Sequence, residues 1–454
     1  MTVTPPTIAP SPSAPLPYAQ SPVWLQTIQA IVDPIPYLEK ARSQYGDIFA
    51  GRSLGFPPFI ILSHPQGIEQ VFTADPDLFD TASGNQIVAP ITGDQGLLLL
   101  EGHAHRKRRK LLMPPFHGER MRAYGAAMQA IATQVCQTWP RHQPFIMRTA
   151  TQEMTLRVIL RTVFGIDENE RFRRLRQLLD TMLHVFDTPL GSSHLFLSSL
   201  QKDLGPWSLW GKFLRRRQEI NDLLLAEIQE RRHQPLGEDI LSLLLAAQDE
   251  QGQPMADIEL RDELMTLLFA GHETTASALA WAFYWIHKVP EVQTKLLAEL
   301  SDITSSTDPN EIAKLPYLSA VCSETLRMYP LVIFTFGRIL KQPMQIMGYN
   351  LPPGGMLSPC IYLLHHREDL YPNSKIFRPE RFLERQFSPY EYIPFGGGNR
   401  RCLGYAFALF EMKLILATVL KQTTLKLADQ RSIKPVRRGI TFTPAGGVPM
   451  VMGS

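Results

Sequence analysis

The chain has 454 residues, of which 44% are hydrophobic and 20% charged, enough apolar material for a large buried core, which excludes disordered and fibrous classes. A net charge of +3 is too small a bias to argue for nucleic acid, although basic residues can still gather on one face. The cysteines Cys136, Cys322, Cys360 and Cys402 are scattered without paired spacing, so the chain reads as a reduced, cytoplasmic protein and not as a disulfide scaffold.

Residues 1–22 are rich in Pro, Ser and Thr, with neither a basic n-region nor an apolar h-region, so they are expected to form a flexible lead-in without a membrane anchor. Length alone would allow about three domains, but no linker interrupts the rest, and one domain is expected over 23–454. Between about 40 and 72, PYLEKARSQYG predicts a helix, DIFAGRSLGFPPFIILS a small sheet and PQGIEQVFT a second helix, followed by loop from 73 to 100. From there to about 330 the chain reads as helix, with amphipathic runs such as MQAIATQVCQTW, INDLLLAEIQERR and VQTKLLAELSDI. The apolar stretch near 264–286 is broken by Gly271, His272, Glu273, Thr274 and Thr275, which makes a poor membrane span and predicts a buried helix. From 331 to 400 Pro and Gly recur every few residues and permit only short strands, turns and coil. A helix resumes after Cys402 as YAFALFEMKLILATVLKQ, and no internal repeat is visible. The expected fold class is mainly α with small β-sheets (α+β).

Chemistry concentrates in separated segments. In FGGGNRRCLG, Cys402 follows three glycines and two arginines and precedes a long helix; positive neighbours and a helix N-terminus both favour the thiolate that ligates metal. Taken alone, the cysteine could equally be a buried structural one. In LLFAGHETTASALAWAF, small and hydroxyl residues interrupt an apolar helix, and Thr274 could either act chemically or bond back to a preceding carbonyl. His272 and Glu273 begin an H-E-x-x-H zinc pattern, but its second histidine position is Ala276, so the zinc reading fails. His272 is expected to be structural or solvent-facing. In SAVCSETLRMYP, Glu324 and Arg327 are three apart and share a face. In LEGHAHRKRRKLLMPPF, His105 and Arg109 lie one turn apart, while Arg106, Lys107 and Arg108 are expected to coat a solvated side.

FGGGNRRCLG resembles the haem-binding signature of the cytochrome P450 superfamily at Phe395, Gly398, Arg400, Cys402 and Gly404. The interrupted helix resembles that family's distal, oxygen-activating helix, in which Ala270 and Gly271 open a groove beside the iron and Glu273 with Thr274 form an acid and alcohol pair. FRPERF matches a further element, whose Arg381 would complete a buried triad with Glu324 and Arg327. The segment around His105 and Arg109 resembles the helix that clamps the haem propionates, though the tryptophan the family often has there is missing. Arg338, eight residues after Pro330, resembles the arginine on the strand that closes the other side of the haem. The resemblance runs from about 34 to 450 and is strongest to soluble bacterial, especially cyanobacterial, members.

The resemblance implies a cytochrome P450 fold holding haem (heme b), with the Cys402 thiolate as axial iron ligand, a ligation that favours O–O cleavage. Phe395 would pack on the proximal side, Arg400 would pair with a propionate, and Glu273 with Thr274 would deliver protons to dioxygen. Electrons would come from a ferredoxin or flavodoxin and its NAD(P)H reductase, docked at Arg400, Arg401 and the basic run 106–110. A monomer is expected. Pocket candidates are Ile87, Val88 and Ile91; Leu183, Phe186 and Phe196; Phe269 and Ala270; Val332, Ile333 and Phe334; and Phe442, each of which would suit an ordinary core equally well. Their apolar character points to hydroxylation or epoxidation of a fatty acid, alkane or terpenoid. Two rivals stay open: a peroxide-driven haem-thiolate hydroxylase or isomerase, which usually lacks the acid and alcohol pair, and a non-enzymatic haem sensor.

Overall fold

The computed structural model describes residues 15–116, 120–165, 170–186, 188–304 and 306–453. Residues 1–14 of the expected lead-in, and the side chain of Leu183, lie outside the described residues.

The helices that build the site are α1 (Gly102–Leu112), α2 (Met147–Phe164), α3 (Leu209–Arg232), α4 (Asp257–Lys288), α5 (Pro316–Met328) and α6 (Tyr405–Gln422). Helix α4 runs through the core: Leu279, Ala280, Trp281, Ala282 and Phe283 are consecutive and all buried, so the helix is apolar all round there. Its small residues let neighbours approach, and a Cβ on Gly271 would stand 3.1 Å from Ile159 of α2. Asp257 and Glu259 occupy the first turn and Lys288 the last, each charge matched to the helix dipole. The helix ends at Val289, extended because Pro290 follows. No helix among the described residues is long and apolar enough to cross a membrane.

Beside the helices lies a five-stranded sheet of β1 (Ile48–Gly51), β2 (Phe59–Leu62), β3 (Phe79–Asp80), β4 (Arg338–Leu340) and β5 (Met356–Pro359), in the order β1-β2-β5-β4-β3. Only the β2–β5 pair is parallel, with Ile60 opposite Leu357, and Arg338 pairs with Leu357 on the other side. This register fixes the start of β4, and with it the Arg338 side chain, against the Cys402 loop.

Two differences from the sequence reading stand out. The flexible lead-in does not extend to residue 22: the Ala19 N–H donates to Ala50 O at 2.9 Å and the Ala50 N–H to Pro17 O at 2.8 Å, which covers an edge of β1 that would otherwise be open. The loop expected over 73–100 contains β3 and short helical turns, among them Thr81–Gly84 and Ala89–Thr92. These are too short to write a period into the sequence, and are held by side-chain caps such as Asp80 to the Ser83 N–H at 2.9 Å.

Candidate active site

The loop ahead of α6 is folded on itself: the Cys402 N–H donates to Phe395 O at 3.0 Å and the Arg401 N–H to Gly398 O at 3.2 Å. Gly398 has φ +64°, and a Cβ there would meet Phe72 O at 2.7 Å; a Cβ on Gly397 would run into the Phe72 ring. These glycines are set by turn geometry and by Phe72. Gly398, expected at the cofactor, is not among the residues lining the cavity onto which Cys402, Phe395 and Gly404 open. Cys402 is accessible from the cavity, but the protein packed around it desolvates the thiol and pushes it above its ordinary value, while the Gly404 N–H, Arg109 and Arg401 pull the other way. The expected lowering is therefore present but outweighed, and a bound metal cation is what would deprotonate the sulfur outright.

Around the same cavity stand cations without carboxylate partners. Arg338 is 2% exposed, lies over the Phe72 ring and donates to Gly397 O at 3.0 Å and Phe336 O at 3.2 Å. Arg400 donates to Leu100 O at 2.5 Å, Leu97 O at 3.4 Å and the Thr81 hydroxyl, and its Nε is buried without a partner. Arg109 donates to Arg401 O at 2.8 Å. Among the described residues none of the three guanidiniums hydrogen-bonds a carboxylate. Burial, with Arg400 nearby, lowers Arg338 to about 10, and burial lowers Arg400 likewise to about 10. His105 is pushed down to about 3, by burial first and then by Arg400, Arg109 and Arg106, so it is a neutral hydrogen-bonding ring at neutral pH.

On the facing wall, α4 presents Phe269, Ala270, Gly271, Glu273 and Thr274 to the cavity. The acid and alcohol are not paired with each other. Thr274 donates to Ala270 O at 2.6 Å, the back-bond foreseen as its alternative. Glu273 is tied to α2: Arg148 Nη2 donates to it at 2.5 Å and Gln152 Nε2 at 2.6 Å. Burial works against the carboxylate, but His272, Arg148 and Gln152 outweigh it and hold Glu273 below the usual value. Glu273 is thus held as a carboxylate beside Thr274, the form in which it can back the hydroxyl. His272 is buried and hydrogen-bonded to the Thr155 hydroxyl at 3.2 Å, the structural of its two expected roles.

The triad comes together. Arg327 donates to both Glu324 oxygens, at 2.6 and 2.8 Å, and Arg381 Nε to Oε1 at 3.1 Å; Glu324 and Arg327 are 0% and Arg381 4% exposed. Arg327 also donates to His365 O and Ser374 O, at 2.8 and 2.9 Å, and so staples the meandering coil to α5.

Of the pocket candidates, Ile87, Val88, Ile91 and Phe186 line the cavity, as do Phe196, Val332, Ile333 and Phe334. Phe442 does not; it is buried, its ring 4.8 Å from the guanidinium of Arg437, the residue opposite it on the paired strand, and it is Arg437 that lines the space. Arg108 needs a second correction. It does not coat a solvated side but is buried against Glu263, at 2.8 Å, and Glu259, both on α4. Sequence reasoning missed Arg148, Gln152 and Arg437; the polar positions of MRTATQEMTLRVIL on a buried helix were the available signal for the first two.

These residues fit a haem. A single thiol, a cluster of cations lacking carboxylates and an apolar wall are what an iron porphyrin with two propionates requires. Among the described residues no three His, Cys, Asp or Glu side chains converge to hold a bare metal ion. Gly404 lines the cavity beside Cys402, and a Cβ on it would meet no protein atom within 4 Å, so the space beside the thiol is open to a ligand.

A family model described as cytochrome P450 matches residues 10–448. Cytochrome P450 135B1 of Mycobacterium tuberculosis is 35% identical over 93% of this chain and 88% of its own length. Cytochrome P450 137 of the same organism is 34% identical over 89% of this chain and 82% of its own. Among solved structures, the retinoic acid-bound cyanobacterial CYP120A1 superposes with a TM-score of 0.84 and 28% identity, covering 97% of this chain and 100% of that one.

Proposed function

The chain belongs to the cytochrome P450 family, and from that premise we propose that it is a monooxygenase for an apolar fatty acid, alkane or terpenoid, supplied with electrons by a separate ferredoxin or flavodoxin and its reductase. The observation that carries the reading is one cavity with Cys402 on one wall and Thr274 with apolar side chains on the other. The bound haem supplies an iron whose thiolate ligation favours O–O cleavage. Cys402 holds that iron, and Arg109, Arg338 and Arg400 hold the propionates, with His105 as a neutral hydrogen-bond partner. Thr274 can hand on its hydroxyl proton when it lets go of Ala270 O and take another from solvent, and Glu273, fixed by Arg148 and Gln152, backs that exchange as a carboxylate acceptor. Apolar residues such as Ile87, Phe269 and Val332 take the substrate and exclude water. The relative solved with retinoic acid bound supports an apolar substrate of comparable kind.

The first test is the spectrum of the dithionite-reduced protein under carbon monoxide. A strongly red-shifted Soret band that is lost in Cys402→Ser is expected, and a spectrum like that of a histidine-ligated globin would refute the assignment of Cys402. The peroxide-driven alternative usually lacks the acid and alcohol pair, and both Glu273 and Thr274 line this cavity. Product formed from hydrogen peroxide at a rate matching the NAD(P)H-driven system would decide for that alternative.

A further inference from the structure

Arg437 stands on the strand Pro435–Arg438, paired with Phe442 on Thr441–Pro444, and lines the cavity. Its guanidinium lies over two rings, Phe442 at 4.8 Å and Phe196 at 5.1 Å. It donates one hydrogen bond, from Nη2 to Ala30 O at 2.8 Å, and its Nε is buried with no partner. Away from the Cys402 loop the buried arginines Arg108, Arg148, Arg231 and Arg367 are paired, with Glu263, Glu273, Asp239 and Asp47, whereas Arg437 stands half-buried at the cavity wall. Among the described residues no carboxylate reaches Arg437.

Burial alone lowers its pKa, to about 10, so the group is still a cation at neutral pH. A desolvated guanidinium with most of its five donors unused is costly unless a ligand completes it. The cations around Cys402 are explained by haem propionates, but Arg437 touches none of that loop; its neighbours are Ala30, Phe196 and Phe442. Two aromatic rings lie within cation–π distance of it, and its unused donors offer the fork that suits a bidentate carboxylate.

We propose that Arg437 binds the carboxylate of an amphipathic acid, whose apolar chain then runs along the cavity toward Thr274 and Cys402. Resting on the monooxygenase reading for the identity of the cavity, this selects acids from among the proposed substrates and makes Arg437 a specificity-determining residue. With the head group held at Arg437, chain length sets which carbon reaches Thr274 and Cys402.

The test is binding of saturated fatty acids of twelve to eighteen carbons, each against the alcohol of the same length, by calorimetry on the haem-loaded protein. The acids should bind at least about tenfold more tightly than the alcohols. In Arg437→Gln that ratio should fall to about one, and Arg437→Lys, a point charge without the fork, should keep part of it. Equal affinity of the wild type for acid and alcohol, or a ratio that survives Arg437→Gln, would overturn the proposal. If Arg437→Gln does not fold, the wild-type ratio and Arg437→Lys still decide. Calorimetry needs neither turnover nor a thiolate spectrum, so failure of the head-group site and failure of the monooxygenase reading are separate results.

Discussion

Thr274 and Glu273 sit side by side in sequence but are held by different partners, Ala270 O for one and Arg148 with Gln152 for the other. Their contributions should therefore separate. General acid and base groups contribute about 10²–10⁴-fold, and Thr274→Ala should cut product per NAD(P)H by about an order of magnitude or more and release peroxide in its place; an unchanged yield would show that Thr274 only bends its helix. At the same scale, His365 is fully buried and its Nε2 accepts the Ile393 N–H at 2.9 Å, so the ring is held neutral. Burial and Arg327 keep its pKa well below the ordinary 6.5. Below pH 6.5 the unfolded chain takes a proton that the folded chain refuses, so the stability it contributes is present above pH 6.5 and lost as pH falls. At pH 5 this amounts to about 2 kcal/mol. The Tm of His365→Gln should accordingly fall less between pH 7 and pH 5 than that of the wild type; parallel Tm profiles would contradict it.

The element scale shows what the sequence could and could not disclose. The helices PQGIEQVFT and YAFALFEMKLILATVLKQ were legible to the residue, because a proline opens the first and the end of a long apolar run closes the second. The Cys402 loop and the Glu324–Arg327–Arg381 triad were legible because each is carried by a compact motif. The Arg148–Glu273 tie was not: its partners lie 125 residues apart, and nothing local marks a cross-helix ion pair. Arg108 was misread for the same reason, since a basic run looks solvated until α4 supplies Glu259 and Glu263. The triad also makes a stability prediction. Arg327→Met leaves Glu324 buried with only Arg381 as a charged partner and frees the carbonyls of His365 and Ser374. Breaking a buried pair in this way costs about 3–5 kcal/mol, so the variant should melt at a clearly lower temperature than the wild type; a wild-type Tm would contradict it.

For the molecule as a whole, the face proposed for an electron donor would be narrower than the basic run 106–110. Arg108 is inside, and Lys107 is matched by Asp249 at 2.7 Å. What remains outward is Arg106, whose nearest carboxylate, Asp77, is 3.9 Å away and exposed, together with Lys110 and Arg401. Arg401 adjoins Cys402, and its carbonyl accepts from Arg109, so a partner seated there approaches the thiolate side of the cavity. Exposed charges steer association in a salt-dependent way, since screening acts over about 8–10 Å at physiological ionic strength. Arg106→Glu and Arg401→Glu should therefore slow reduction by an acidic ferredoxin at low salt, with the difference from wild type shrinking as salt is raised. Arg108→Glu should behave differently, placing a third carboxylate beside Glu259 and Glu263 and lowering Tm in the absence of any partner. If the two surface variants are reduced at the wild-type rate at every ionic strength, the donor docks elsewhere on the molecule.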